Sequence, residues 1–158
     1  MVKFVSGDLL ESCCDYLVNT VNCEGIMGKG IALQFKKKYP EMFDEYVLQC
    51  QKNQIEIGKP HLWSLNNLFE NITIINFPTK ISWRNPSKIE YIEDGLTWMK
   101  KYFITKPYVS CAIPPLGCGN GNLEWNKVKS IIYKELHQLK TTFYVYEPGG
   151  VKMNQWGF

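Results

Sequence analysis

The sequence predicts an α/β protein in which a single β-sheet is covered by helices. Apolar, strand-like runs alternate with amphipathic helical segments along the chain, an alternation typical of a covered sheet. Twice, at residues 18–32 and 112–125, a strand-like run ends in a glycine-rich loop that opens a helix. The length of 158 residues, with 45% apolar residues, accommodates one core and is short for two ordinary domains.

Four strands are predicted in the first half of the chain from their apolar and β-branched composition: residues 2–5, 16–21, 61–65 and 72–77. The last of these runs is almost entirely apolar, which favours a position inside the sheet. A helix begins at Gly30 and extends to residue 38. It stops at Pro40, which lacks the N–H donor of a helix interior, and the helical pattern resumes over residues 41–52.

The second half of the chain opens with the helix that carries the clearest signals. Ser87 and Glu90 form a capping box after Pro86, and the following residues keep one apolar face: Ile89, Ile92, Leu96, Met99 and Phe103. A strand over residues 108–113 leads into the second loop. The helix after that loop has an apolar face formed by Trp125, Val128, Ile131, Ile132, Leu136 and Leu139. Residues 143–146 complete the sheet.

Both glycine-rich loops are expected where covered α/β sheets bind ligands, at the carboxyl ends of strands. Glycine lets the backbone approach a bulky anion, and the N-terminus of the following helix adds a partial positive charge. Two such loops can hold a diphosphate from both sides, which indicates a nucleotide-diphosphate ligand. The first loop is neither the dinucleotide-binding fingerprint nor a P-loop, and tight strand-to-helix turns without a ligand are the alternative.

Lys80 directly follows the strand at residues 72–77 and is expected at the same sheet edge as the two loops. Partial burial and the nearby charge of Arg84 would lower its pKa and make it a nucleophile or an acid/base. A solvated loop lysine is the alternative. Trp83, next to Arg84, either stacks on a single-stranded nucleic acid or covers the core as a lid.

Several chemistries lack their sequence signature. With two histidines, no C-x-x-C pair and no metal-type carboxylate cluster, we expect no metal and no other cofactor. His61 and His137 are expected to be structural. The chain has no G-x-S-x-G nucleophile elbow, and no histidine is placed to activate Cys118, so a small buried filler is the role expected of that side chain.

Charge and cysteine content bear on partners and location. The net charge of +3 permits an acidic partner but falls short of the basic stripe of a dedicated nucleic-acid binder. Six cysteines without a C-x-x-C pair, and a start without an apolar signal segment, favour reduced thiols in the cytoplasm. No apolar run approaches the ~20 residues of a membrane span, so no membrane partner is expected.

Five segments together resemble the macrodomain family: GDL at residues 7–9, VNTVN at 18–22, GIMGKGIA at 25–32, NFPTK at 76–80 and PLGCG at 115–119. Within the family, the likeness is to the branch of bacterial DNA ADP-ribosylglycohydrolase antitoxins, the DarG type, and it extends over residues 1–150. The resemblance implies a three-layer α/β/α sandwich with a central mixed β-sheet. Residues 151–158 are then expected to be a tail or the start of a linker to a further C-terminal region.

The resemblance also assigns residues to an ADP-ribose site. It implies that Asp8 binds the adenine amino group with Leu9 beside it, and that Asn22 lies near the distal ribose. The ribose and diphosphate are implied to contact Thr20, Gly28, Lys29, Gly30, Ile31, Gly117, Cys118, Gly119, Asn120, Gly121 and Asn122. Lys80 matches the lysine regarded as catalytic in this branch, and Trp83 and Arg84 are the expected nucleic-acid contacts. A related lysine-using macrodomain has an aspartate where this chain has Gly121, so an obvious acid/base partner is missing.

The implied function is hydrolysis of the bond between ADP-ribose and a nucleobase, expected to be thymine, in single-stranded DNA. The protein would be a monomeric antitoxin whose partner is a cognate DNA ADP-ribosyltransferase toxin. Two alternatives remain. One is a non-catalytic ADP-ribose-binding module, for which Lys80 is dispensable. The other is an ADP-ribose 1''-phosphate phosphatase, in whose chemistry Lys80 is hard to place without a nearby acid.

Overall fold

The strands and helices lie close to the positions that the sequence pattern predicts. In the computed structural model, which describes residues 1–148, the strands are β1 (Val2–Val5), β2 (Tyr16–Val21), β3 (His61–Asn66), β4 (Asn71–Pro78), β5 (Ser110–Ile113) and β6 (Thr142–Tyr146). The helices are α1 (Gly30–Lys38), α2 (Pro40–Gln51), α3 (Ile89–Phe103) and α4 (Trp125–Leu136). A short 3-10 turn, Leu9–Glu11, was not predicted.

The six strands form one mixed sheet in the order β1-β6-β5-β2-β4-β3. Every neighbouring pair is parallel except β3 with β4, and β3 forms an edge of the sheet. Side chains alternate between two cores, so that Leu17 packs with residues of α1 and α2, and Val18 with residues of α3 and α4. The three-layer α/β/α sandwich is therefore confirmed.

Three predicted boundaries are wrong for identifiable reasons. Ser87 does not cap α3, whose N-cap is Lys88 without a side-chain hydrogen bond. The N–H of Ser87 donates instead to the Gly121 carbonyl at 3.0 Å, which draws the segment toward the second glycine-rich loop. β5 begins at Ser110 because Tyr108 has a φ of +66°, outside the extended region. α2 begins at Pro40, since proline is tolerated in the first turn of a helix.

The parallel strands bring four segments to one edge of the sheet. Asp8 follows β1, the first glycine-rich loop follows β2, Lys80 follows β4 and the second loop follows β5. The prediction that both loops and Lys80 share the carboxyl edge is confirmed. The ends of β1 and β4 are four strands apart, which corresponds to roughly 19 Å at about 4.8 Å per strand.

Two sequence predictions concern the chain termini and membranes. The expected tail at residues 151–158 lies outside the described residues, and the domain limit at residue 150 stays a prediction. Within residues 1–148, no helix combines the length and apolar character needed to cross a membrane.

We expect Gly95→Ala to destabilise the protein. A Cβ atom on Gly95 of α3 would overlap the ring of Phe77, which is fully buried in β4 and cannot move away. Overpacking of this kind costs about 1–3 kcal/mol, more than the ~1 kcal/mol that alanine gains over glycine in a helix. Urea denaturation measures the change in the free energy of unfolding.

Gly28→Ala is the matched control, since a Cβ atom there lies 3.7 Å from its nearest neighbour. Its free energy of unfolding should stay close to that of the native protein. Equal stabilities of the two alanine variants would show that the contact between α3 and β4 is not tight.

Candidate active site

A cavity of about 520 Å³ opens at the carboxyl edge of the sheet, between the two glycine-rich loops and the segment after β4. Its volume is in the range of small-molecule sites, about 300–1,000 Å³. The walls include predicted site residues from all three segments: Thr20, Asn22, Gly28, Lys29, Ile31, Lys80, Trp83, Arg84, Gly119, Asn120, Gly121 and Asn122. The fold therefore brings together residues that are up to a hundred positions apart in sequence.

The walls also include residues that the sequence analysis did not single out: Val21, Ile26, Ala32, Thr79, Asn85, Pro86, Pro114 and Pro115. Most are apolar or are prolines, which carry no chemical signature in a sequence. Their signal is position, because they lie on the segments that leave the carboxyl ends of β2, β4 and β5 or on the first turn of α1.

Other predicted contacts lie outside these walls: Asp8, Leu9, Gly30, Gly117 and Cys118. The side chain of Leu9 is fully buried in the core. The Cys118 thiol donates to the Leu116 carbonyl at 3.4 Å, and burial raises its pKa to about 12. A thiol with that pKa is protonated at neutral pH, which fits the filler role predicted for Cys118.

Asp8 lies at the same edge of the sheet, beyond the end of β1. Its Oδ1 accepts a hydrogen bond from the N–H of Leu10 at 3.0 Å and caps the turn Leu9–Glu11. Within residues 1–148, its other carboxylate oxygen has no hydrogen-bond partner. Asp8 is thus a structural cap that keeps one acceptor oxygen available.

The first glycine-rich loop is held by the side chain of Asn22, which is 8% exposed. Its Oδ1 accepts from the N–H groups of Glu24 at 2.9 Å and Ile26 at 3.4 Å, and its Nδ2 donates to the Ile26 carbonyl at 2.7 Å. The hydroxyl of Tyr46, a buried residue of α2, donates to the Asn22 carbonyl at 2.7 Å. The amide of Asn22 therefore shapes the loop, a role that sequence reasoning missed.

Hydrogen bonds join the first loop to the segment that carries Lys80. The N–H of Thr79 donates to the Val21 carbonyl at 2.9 Å and continues the pairing of β2 with β4. The N–H of Cys23 donates to the Ile81 carbonyl at 3.0 Å, and its thiol donates to the Lys80 carbonyl at 3.5 Å. These contacts fix the backbone of Lys80 relative to the loop.

The cavity walls carry the cations Lys29, Lys80 and Arg84 and, within residues 1–148, no carboxylate. Burial lowers the pKa of the Lys80 ammonium below its usual value, and the charge of Lys29 lowers it further. Lys80 therefore loses its proton more readily than an ordinary lysine, as a nucleophile or an acid/base must. The prediction that Arg84 supplies this charge is wrong, because the cation that acts on Lys80 is Lys29.

The second loop depends on a close backbone contact that only glycine permits. A Cβ atom on Gly121 would overlap the carbonyl oxygen of Gly117. Gly117 has a φ of +70°, and a Cβ atom there would lie 2.8 Å from Leu123 Cδ1. The N–H of Leu123 donates to the Gly117 carbonyl at 2.9 Å and closes the loop. Position 121 therefore has no room for an aspartate.

Backbone N–H groups without a protein partner lie in the cavity walls. Those of Gly119, Asn120 and Gly121 donate to no group within residues 1–148. The first turn of α1, which also lines the cavity, leaves its N–H groups without partners inside the helix. The first turn of α4 is not in the walls, since the second loop folds back on itself before that helix begins. The prediction that two helix N-termini converge on the ligand is therefore wrong for α4.

Trp83 and Arg84 lie at the rim of the cavity. Trp83 is 42% exposed and belongs to neither core cluster, so it is not a lid over the core. The Arg84 guanidinium lies over its ring, 5.1 Å from the centroid. The N–H of Trp83 donates to Glu24 Oε2 at 3.4 Å, which links the rim to the first loop. An exposed ring with a stacked cation offers a surface for a base and a phosphate.

Neither histidine lies at the cavity. His61 Nδ1 is 3.1 Å from Asn76 Nδ2, and His61 Nε2 is 3.3 Å from Glu45 Oε1. His137 stacks on the ring of Tyr133 with centroids 4.7 Å apart. Both side chains are engaged in packing and hydrogen bonding within the fold, as expected.

The fold and the cavity define a three-layer α/β/α domain whose ligand site is built from two glycine-rich loops at the carboxyl edge of the sheet. The family model described as Macro domain matches residues 18–132. The chain belongs to the macro domain family.

Comparisons with curated proteins extend this assignment. The chain is 45% identical over 151 residues to the DNA ADP-ribosyl glycohydrolase of Mycobacterium tuberculosis, covering 95% of this chain and 43% of that protein. It is 33% identical to the DNA ADP-ribosyl transferase-DNA ADP-ribosyl glycohydrolase fusion protein of Thermosipho africanus, covering 93% of this chain and 42% of that protein. The chain thus spans less than half the length of these relatives.

Solved structures give the same picture. The macrodomain of Thermus aquaticus DarG is similar with a TM-score of 0.86 and 45% identity, over 94% of this chain and 99% of that chain. Thermosipho africanus DarTG in complex with ADP-ribose is similar with a TM-score of 0.80 and 33% identity, over 91% of this chain and 41% of that chain.

We expect Tyr46→Phe to loosen the first glycine-rich loop. The substitution leaves the buried Asn22 carbonyl without the hydroxyl that donates to it. An unsatisfied buried acceptor costs about 1–3 kcal/mol. Denaturation should show that loss, and hydrogen exchange should show faster exchange of the N–H groups of Glu24 and Ile26.

Tyr39→Phe is the control, because it removes a hydroxyl that donates to Glu70 Oε1 at 2.7 Å, away from the loop. Its loop exchange should match that of the native protein. If both variants left the exchange of Glu24 and Ile26 unchanged, Asn22 would hold the loop without help from Tyr46.

Proposed function

We propose that this domain hydrolyses the bond between ADP-ribose and a nucleobase, thymine, in single-stranded DNA. The observation that carries the proposal is Lys80, a half-buried lysine of lowered pKa in the wall of a cavity framed by two glycine-rich loops. The names of the relatives support it, since the Mycobacterium tuberculosis protein is a DNA ADP-ribosyl glycohydrolase and the Thermosipho africanus structure holds ADP-ribose.

The proposed binding mode distributes the ligand along the sheet edge. The diphosphate is held by the unpaired amides of the second loop, the first turn of α1 and the charge of Lys29. The adenine lies toward Asp8, whose available oxygen accepts from the exocyclic amine. The distal ribose then lies at the opposite end, next to Lys80. The roughly 19 Å between the ends of β1 and β4 suits an elongated dinucleotide-like ligand.

The proposed reaction breaks the bond between C1'' of the distal ribose and a nitrogen of the base, and joins the oxygen of water to C1''. The base gains one proton and the water loses one. Lys80 acts at this centre, either as an amine that attacks C1'' or as an ammonium that protonates the departing base. The oxocarbenium-like centre that develops lies close to the diphosphate, whose charge the loop amides bind.

The DNA and the partner protein complete the proposal. Trp83 and Arg84, at the rim, contact the single strand next to the modified base. The fusion of a transferase with a glycohydrolase in Thermosipho africanus supports a pairing with a DNA ADP-ribosyltransferase, against which this domain acts as antitoxin. We place it in the cytoplasm as a monomer, in keeping with six cysteines that form no disulfide.

One assay separates the proposal from its alternatives. The protein is incubated with ADP-ribosylated single-stranded DNA, with ADP-ribosylated protein and with ADP-ribose 1''-phosphate. We expect release of ADP-ribose from the DNA. Release of phosphate alone would make the protein a phosphatase, and binding of ADP-ribose without turnover of any conjugate would make it a binding module.

We expect Lys80→Ala to lose at least about a hundredfold in rate, the lower range of an acid/base contribution, and to keep ADP-ribose affinity within a few-fold. Lys80→Arg should be little better, because a guanidinium stays protonated and cannot place a compact charge at C1''. Release of ADP-ribose from modified DNA and calorimetry with free ADP-ribose measure the two effects. Full activity of Lys80→Ala would show that Lys80 is not catalytic. The remaining mechanism would be attack by water in a site formed by the glycine-rich loops.

We expect Gly119→Glu to weaken ADP-ribose binding without loss of stability. Gly119 lines the cavity and has neither a positive φ nor the close backbone contact of Gly121, so a side chain there extends into the site. Its carboxylate would also repel a diphosphate. Calorimetry should show a loss of affinity of about tenfold or more, the size of a charged hydrogen bond. Unchanged affinity would remove the second loop from the site.

A further inference from the structure

Two like charges share the cavity without a counter-ion. Lys29 is the N-cap residue of α1 and Lys80 follows β4, and both line the cavity. Neither ammonium forms an ion pair within residues 1–148. Arg84, the other cation of the walls among residues 1–148, lies over the ring of Trp83. Lys80 and Lys29 therefore share the cavity walls as two cations without an ion pair within residues 1–148.

The positions of the two lysines differ in a way that matters for a ligand. Lys29 is exposed and stands at the N-terminus of α1, where unpaired N–H groups and the helix dipole favour an anion. Lys80 is half-buried and hydrogen-bonded through its backbone to Cys23. A diphosphate is thus expected to reach Lys29, whereas Lys80 is left to the reacting end of the ligand.

We infer that Lys29 is a positioning residue that acts through Lys80: the two lysines share the cavity walls without an ion pair within residues 1–148, and a bound diphosphate compensates the charge of Lys29. The inference rests on the proposed function for the identity of the ligand. Binding then couples to protonation, because a diphosphate that compensates Lys29 favours the protonated form of Lys80.

Among the titratable and charged groups around Lys80, Lys29 is the one that acts on its pKa, after the larger effect of burial. From the first loop these are Lys29, the neutral thiol of Cys23 and Glu24, whose carboxylate accepts from the N–H of Trp83. From its own segment Arg84 is stacked on Trp83, and the second loop contributes no charged group to the walls. Burial and the charge of Lys29 are the causes that lower the pKa of Lys80.

The coupling favours one chemical role for Lys80. The Lys80 ammonium, which the bound diphosphate favours, gives its proton to the nitrogen of the departing base as the bond to C1'' breaks. Water adds its oxygen to C1'' and returns one proton to the Lys80 amine. The sum is hydrolysis, with Lys80 restored, and no other reactant is needed. The substrate itself thereby prepares the acid that cleaves it.

The test follows the protonation of Lys80 without relying on turnover. Lysines are reductively methylated with a carbon-13 label, and the Lys80 signal, assigned with Lys80→Arg, is titrated by NMR. We expect its midpoint to lie at higher pH in Lys29→Gln than in the native protein, and to stay in place in Lys29→Arg, which keeps the charge. Lys37→Gln removes an exposed charge of α1 outside the cavity and should leave the midpoint unchanged.

ADP-ribose supplies the second arm. ADP-ribose should raise the titration midpoint of Lys80 in the native protein and should raise it less in Lys29→Gln. The affinity of Lys29→Gln for ADP-ribose should fall about tenfold or more. A midpoint that is the same in Lys29→Gln and in the native protein, with only affinity lost, would overturn the inference and leave Lys29 as an ordinary phosphate contact. If the midpoints behave as expected but no modified DNA is cleaved, the proposed hydrolysis fails and the coupling stands.

Discussion

Parallel pairing of β2 with both β5 and β4 is the constraint on which the site depends. Tyr16 of β2 is in register with Cys111 on one side and with Thr73 on the other, so all three strands end at one edge. Segments that are far apart in sequence therefore leave the sheet side by side. Because β2 is buried on both faces, its register cannot shift without exposing one core and crowding the other. The sheet sets the distance between the two loops and Lys80 before any ligand binds.

Backbone packing, rather than side chains, decides which chemistry the second loop offers. The peptide of Gly121 lies against that of Gly117, and the same peptide accepts a hydrogen bond from the N–H of Ser87. A carboxylate at position 121 would require this loop to be rebuilt. The loop therefore offers unpaired N–H groups that can bind an anion, but it has no position for an acidic side chain. Within residues 1–148, the cavity walls hold cations and no carboxylate. Proton transfer in the proposed reaction is therefore assigned to Lys80.

The sequence predicts the bounds of a strand or helix well where the spacing of apolar residues within that segment is enough to define it. β2 and α1 have the predicted bounds because the spacing of their apolar residues stays regular along each element and ends at a loop. Ser87 does not cap α3, and its N–H donates to a loop that lies thirty-four residues further along the chain. The contact between the Asn22 carbonyl and Tyr46 is invisible for the same reason, since Tyr46 lies on another element. Likewise, Arg84 is nearer to Lys80 in the sequence than Lys29 is, yet Lys29 is the charge that lowers the pKa of Lys80 in the fold.

The lowered pKa of Lys80 also ties the site to stability. The unfolded chain holds the ordinary lysine pKa, so between the lowered value and 10.5 it binds more protons at this residue than the folded protein does. Folding is therefore opposed by Lys80 at neutral pH, and the cost fades as the pH rises through the ordinary value. A ligand that compensates Lys29 removes part of that cost, so the same interaction that prepares Lys80 also adds to the free energy of binding.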